Sequence, residues 1–119
     1  MTKSDFSLNV RTKNGVVLIS VIGRINTFSM REIISELGKL IDERQNRLIL
    51  DFEKASCSKG YAILPLVSIA QRVRRCNGDL KIFGIKEDLN TKFSMAGISR
   101  ILEVHQTEQE ALNSFYRED

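Results

Sequence analysis

The segment Arg47–Leu66, RLILDFEKASCSKGYAILPL, constrains the fold more than any other. Leu48, Ile49 and Leu50, followed by Asp51 and Phe52, read as a strand covered on both faces. A polar stretch with Ser56, Cys57, Ser58, Lys59 and Gly60 comes next, and a second apolar segment opens at Tyr61. A buried strand that delivers a small-residue loop to a helix N-terminus presents backbone N–H groups and a positive dipole end. Such a loop suits a phosphate or a docking partner. This one carries hydroxyls but no acid.

The rest of the chain alternates between the two secondary-structure periods. Phe6, Leu8 and Val10 alternate up to Asn14-Gly15, a two-residue hairpin turn. Val16 to Ile22 is apolar at nearly every position, a second doubly covered strand that Gly23 ends. Ser29 and Glu32 read as a capping box, with Phe28 stapled onto Ile33. They open a helix whose stripe is Met30, Ile33, Ile34, Leu37, Leu40 and Ile41. Beyond the loop, Ile63, Leu66, Val67, Ala70 and Val73 form a second stripe, with Gln71, Arg72, Arg74 and Arg75 outside. Pro65 falls within this pattern. An interior proline costs about 3 kcal/mol, so the regular helix starts near Pro65 after a looser turn from Gly60 to Leu64. Asn77-Gly78 stops it. Leu80–Ile85 reads as a strand, Asp88–Ala96 as a short helix capped by Gly97, and Ile101–Val104 as a last strand. Thr107 and Glu110 form a second capping box, before a helix burying Ala111, Leu112 and Phe115. The expectation is one α/β domain over 1–119 in the order ββαβαβαβα. Helices lie near 29–43, 62–76, 88–96 and 107–117, around a mixed sheet of four or five strands with 47–52 in its interior.

Catalysis finds little support. His105 is the single histidine, so there is no zinc-ligand spacing and no obvious base for a nucleophile. Neither a dinucleotide fingerprint nor a Walker loop is present, and no cofactor or metal is expected. Two cysteines, Cys57 and Cys76, suit a reducing compartment. No apolar run approaches the roughly 18 residues of a membrane span, and MTKSDFSLNV lacks a signal-peptide core, so the expected location is the cytoplasm. A net charge of +3 is too small to imply nucleic acid. Arg72, Arg74, Arg75, Lys81 and Lys86 lack interleaved aromatics and read as a solvated face, with partner docking as the alternative. Met30 and Met95 read as core. Ser56, Ser58 and Tyr61 either accept phosphate or satisfy turn hydrogen bonds. Cys57 beside Lys59 is either a plain loop thiol or a thiolate favoured by the neighbouring cation.

Several segments taken in order carry a family likeness: Gly23-Arg24-Ile25-Asn26, Leu48-Ile49-Leu50-Asp51-Phe52, Asn77 to Gly84, Phe93 to Ile98, and Glu108 to Phe115. From Val16 to Phe115 the chain resembles the STAS domain family of bacterial anti-sigma-factor antagonists. The resemblance implies a small non-enzymatic switch protein. Such a protein binds a kinase-like anti-sigma factor and loses that binding when a loop serine is phosphorylated. The family signature at the second helix is Asp-Ser-Ser-Gly. Aligned without a gap between Asp51 and Gly78, it falls on Lys59, Gly60, Tyr61 and Ala62, which puts the acceptor at Gly60. A one-residue gap makes Ser58 the acceptor and Cys57 the missing acid. The family's acid after the second strand is replaced by Asn26.

The resulting expectation is a regulatory protein, monomer or weak homodimer, in a bacterial partner-switching system. Its partner is an anti-sigma factor, a serine-kinase-like protein or a phosphatase, with no nucleic acid and no membrane insertion. Contact falls to Asn26, Ser56, Ser58, Lys59, Gly60 and Tyr61, with Arg72 and Arg75, and Ser58 is the candidate phosphoacceptor. Two other classes stand beside it. One is an accessory subunit of a lipid-transport ABC system docking through the basic helix face. The other is a ligand- or redox-sensing module using the loop or Cys57.

Overall fold

In the computed structural model, which describes residues 6–57, 59–95 and 97–116, the chain first reverses at Asn14 and Gly15. Both take positive φ, 54° and 79°, as a type I′ turn requires. The turn pairs β1 (Ser7–Lys13) with β2 (Val16–Ile25) antiparallel, Lys13 opposite Val16. There follow α1 (Thr27–Asp42), β3 (Arg47–Cys57), a 3₁₀ turn over Gly60–Ile63, and α2 (Pro65–Arg75). Next come β4 (Asp79–Phe83), α3 (Glu87–Met95), a 3₁₀ turn over Ile98–Arg100, β5 (Glu103–His105) and α4 (Glu108–Tyr116). The described strands form one five-stranded mixed sheet in the order β1-β2-β3-β4-β5, parallel from β2 onward. The element order is the expected one, and β3 lies in the interior of the sheet.

Continuous apolar runs are explained by cover on both faces. Val17, Ile19, Leu48, Leu50, Leu80 and Ile82 pack into the core shared with α1 and α2. Val16, Leu18, Ile49 and Phe83 point the other way, against Ala111 and Leu112 of α4. Both helices stop at a residue with left-handed backbone, as expected at Asn77 but without a sequence signal at Arg44. Arg44 and Asn77 adopt left-handed backbone, and Gln45 N and Gly78 N donate to Leu40 O and Val73 O at 2.9 and 3.0 Å. Gly78 is also a close approach: a Cβ there would lie 1.9 Å from the Asn46 carbonyl oxygen.

Four expectations need correction. First, α1 begins at Thr27, and its cap is Asn26, with Ser29 at the third helical position. Phe28 is 73% exposed with Arg31 over its ring, and it makes no staple. Second, the strands reach further: Gly23 lies inside β2 opposite Ala55, and Ser56 and Cys57 belong to β3. Parallel pairing with the extended β2 keeps the later residues of β3 in the ladder despite their polarity. Third, Met95 is 82% exposed, while Met30 is buried. Leu89 and Phe93 define the buried face of α3, and Met95 sits about 200° around the helix from Phe93. Fourth, β4 and β5 are displaced from the expected strands, covering 79–83 and 103–105. Ala96 and Arg117, the ends expected for the third and fourth helices, lie outside the described residues.

Candidate docking surface

The carboxyl ends of β2 and β3 bring the first part of the site together. Arg24 pairs with Ser56 and Ile25 with Cys57, which sets Asn26 beside the chain leaving β3. Asn26 Oδ1 accepts from Phe28 N and Ser29 N, each at 2.9 Å. Ser29 Oγ accepts from Asn26 N at 2.8 Å and donates to Arg24 O at 2.9 Å. Asn26, at the position where the resemblance implies an acid, is thus a neutral residue whose side-chain oxygen caps α1.

The loop's other candidates follow. Ser56 and Lys59 are exposed, and Gly60 is half-buried at the start of the 3₁₀ turn. Ser58 lies outside the described residues. Cys57 is buried, and its thiol donates to Lys59 O at 3.1 Å, so it faces inward rather than toward a ligand. Tyr61 is 61% exposed.

Residues that sequence reasoning missed complete the surface. Lys92 Nζ donates to Cys57 O at 3.2 Å, and its stem passes 3.6 to 3.8 Å from where a Gly60 Cβ would stand. Lys86 Nζ donates to Glu53 O and Ala55 O at 3.0 and 3.1 Å. Lys92 of α3 and Lys86 just before it satisfy carbonyls at the end of β3 and hold α3 against the loop. Phe28, Leu64 and Met95 are exposed apolar side chains on the elements framing it. A groove of about 450 Å³ runs between α1 and the start of α2, with Met30, Ile34, Tyr61, Ala62 and Pro65 in its walls. For Met95 a signal existed in its angular offset from Leu89 and Phe93. For Lys92 there was none, because its contact partner is a distant backbone carbonyl.

Arg72 and Arg75 are not brought to this place. Arg75 ends α2, about 15 Å along the helix from Pro65. Arg72 pairs with Asp42 of α1 at 2.5 Å, and Arg74 with Asp79 at 2.9 Å. At the opposite side of the sheet, Lys81 is buried against Glu103 at 2.7 Å and stands 4.8 Å from the Phe115 ring centroid. His105 Nε2 donates to the same Glu103 oxygen at 2.7 Å. Burial pushes the Glu103 carboxyl up, but the hydrogen bonds from Lys81 and His105 outweigh it and hold the pKa at about 2. This cluster joins strands and carries no nucleophile. Among the described residues no group of three or more His, Cys, Asp or Glu is placed to hold a metal ion. None of their helices is long and apolar enough to cross a membrane.

A mixed sheet with this order, whose loop before the second helix is presented at one end, defines a class. The STAS domain model matches residues 7–111, and the chain belongs to that family. BtrV of Bordetella bronchiseptica, named as an anti-sigma factor antagonist, is 20% identical over 102 residues, covering 86% of this chain and 88% of that protein. An anti-sigma factor antagonist from Mycobacterium paratuberculosis superposes with a TM-score of 0.83 at 14% identity, covering 98% of this chain and all of the other. SpoIIAA in its unphosphorylated form gives 0.77 at 14% identity, over 92% of this chain and 96% of that one. At such identities the structural likeness is one of fold.

Proposed function

We propose that this chain, as one STAS-like domain over 1–119, is a non-enzymatic cytoplasmic regulator of the anti-sigma-factor-antagonist type. It works by docking an anti-sigma factor, a serine-kinase-like protein or a phosphatase. The contact residues are Asn26, Ser56, Ser58, Lys59, Gly60 and Tyr61. One observation carries this reading: Tyr61, on the loop where the family's signature position falls, is 61% exposed beside an apolar groove. A rigid aromatic side chain at the rim of a concave apolar surface is the usual composition of an interface anchor. The complex is constitutive, because the ungapped acceptor position is Gly60, which has no hydroxyl. The basic face of α2 supports docking less well, since Arg72 and Arg74 are already paired within the molecule.

The test is binding kinetics of Lys59→Glu and Tyr61→Ala with the partner captured from the native host. Both should weaken the complex. The effect of Lys59→Glu should be largest at low ionic strength, because rim charges act mainly through a salt-screened association rate. Wild-type binding by both variants at low salt would exclude this loop and point to Arg75.

A further inference from the structure

Resting on that docking reading, we propose that the partner offers an acidic amphipathic segment. Its apolar side chains enter two grooves on either side of Tyr61, and its carboxylates meet Arg31, Lys59 and Lys92. The first groove is the one between α1 and the start of α2. The second, of about 340 Å³, is lined by Gly60, Tyr61, Leu64, Lys92 and Met95. Tyr61 belongs to both walls, so the grooves are adjacent. Leu64 at 47% and Met95 at 82% exposure extend the apolar surface onto α3.

Charge gives the direction. Among the described residues, each charged side chain lining either groove is a cation: Arg31 in one and Lys92 in the other. Elsewhere the molecule pairs many of its cations with its own carboxylates: Arg11 and Lys13 with Glu108, Arg72 with Asp42, Arg74 with Asp79, Lys81 with Glu103. None of the described ion pairs uses Arg31, Lys59 or Lys92. Arg31 instead stands 5.8 Å from the centroid of the exposed Phe28 ring. Asn26, in the position of the family's acid, adds no compensating charge. An apolar centre rimmed by cations that no described ion pair uses is complementary to apolar anchors flanked by Asp and Glu. Two copies of this chain meeting here would oppose cation to cation, which disfavours self-association through this face. The apolar residues line concave grooves rather than a projecting tip, which favours a peptide segment over an anionic lipid surface.

The experiment places a photo-crosslinking residue at Tyr61, Met95 or Arg75 of the full chain, one at a time, in the native host, and sequences the cross-linked peptide. The expected result is a net-negative segment with bulky apolar residues, captured from Tyr61 and Met95. With the captured protein purified, the double variant Arg31→Glu, Lys59→Glu should bind at least about tenfold more weakly at low salt, and acid-to-lysine changes in the segment should restore it. A neutral or basic segment cross-linked at Tyr61 overturns the acidic partner and leaves the docking reading standing. A second copy of this chain at either position also overturns it. Equal or tighter binding of the chain to vesicles of phosphatidylglycerol and phosphatidylcholine would replace the segment by lipid. No cross-link from Tyr61 or Met95, whether or not Arg75 captures a partner, overturns both inferences.

Discussion

Asn26 combines two roles in one side chain at the carboxyl end of β2. It supplies the helix cap, through two backbone N–H groups bound to Oδ1, and it withholds the charge that an acid would bring. Asn26→Ala should lower stability by about 1 kcal/mol in chemical denaturation, whereas Asn26→Asp keeps the cap and should fold at least as well. Ser29→Ala should cost about 1 to 2 kcal/mol, because it strips an acceptor from Asn26 N and a donor from Arg24 O at a buried position. An unchanged midpoint would mean that water replaces the hydroxyl. Ser29 was legible as a capping residue, but its role was not. Asn26–Ser29 and Ser29–Glu32 share the same spacing, and only the burial of Ser29 beneath Arg24 O chooses between them. Gly60 carries the other residue-scale prediction. Incubation with the cognate partner-switch kinase should leave the chain essentially unphosphorylated by mass spectrometry. Stoichiometric phosphate on Ser58 would establish the gapped alignment instead.

At the scale of elements, α4 is held by contacts that the hydrophobic pattern alone does not contain. Its stripe covers Leu18, Ile49 and Phe83, and Arg11 of β1 pairs with Glu108 at its first turn. Lys81, buried in the sheet, reaches both Phe115 of α4 and Glu103 of β5. The folded-state pKa of Glu103 is about 2, below its ordinary value of 4.5, so its contribution to stability is fully present above about pH 4.5. That contribution disappears as pH falls toward 2. Glu108 is shifted the same way, chiefly by its hydrogen bond from Arg11. Glu103→Gln should therefore reduce stability at neutral pH and flatten, without abolishing, the loss of stability in an acid titration followed by circular dichroism. A wild-type slope would place the acid-sensitive groups elsewhere. Periodicity made α1, α2 and the β1–β2 hairpin readable, because long stripes and a two-residue turn leave few alternatives. It found β5 but misplaced its bounds and stopped β3 too early, where a strand of three residues and a polar extension are delimited by pairing with a neighbour. The candidate docking surface was half legible for the same reason. Its loop announced itself in sequence, but α3 joins it through Lys92 and a backbone carbonyl 35 residues away.

The molecule as a whole separates what holds it together from what it presents. The carboxyl end of the parallel strands gathers Asn26, Lys59, Tyr61, Leu64 and Met95, while α4 and its ion pairs cover the second face of the sheet. Tyr61 stands at the rim of grooves that already exist between packed elements, so removing its ring costs little folding energy but takes away the proposed anchor. Phe115 is half-buried against the second core and against Lys81, with no part in either groove. Tyr61→Ala should therefore leave the denaturation midpoint within about 0.5 kcal/mol of wild type and weaken partner binding. Phe115→Ala should lose about 2 kcal/mol of stability and, wherever the protein remains folded, bind with the wild-type Kd. Calorimetry on both variants at a temperature well below either transition separates the two effects. A Phe115→Ala protein that is folded yet binds poorly would mean that docking depends on the packing of α4, and that the two faces of the sheet are coupled rather than independent.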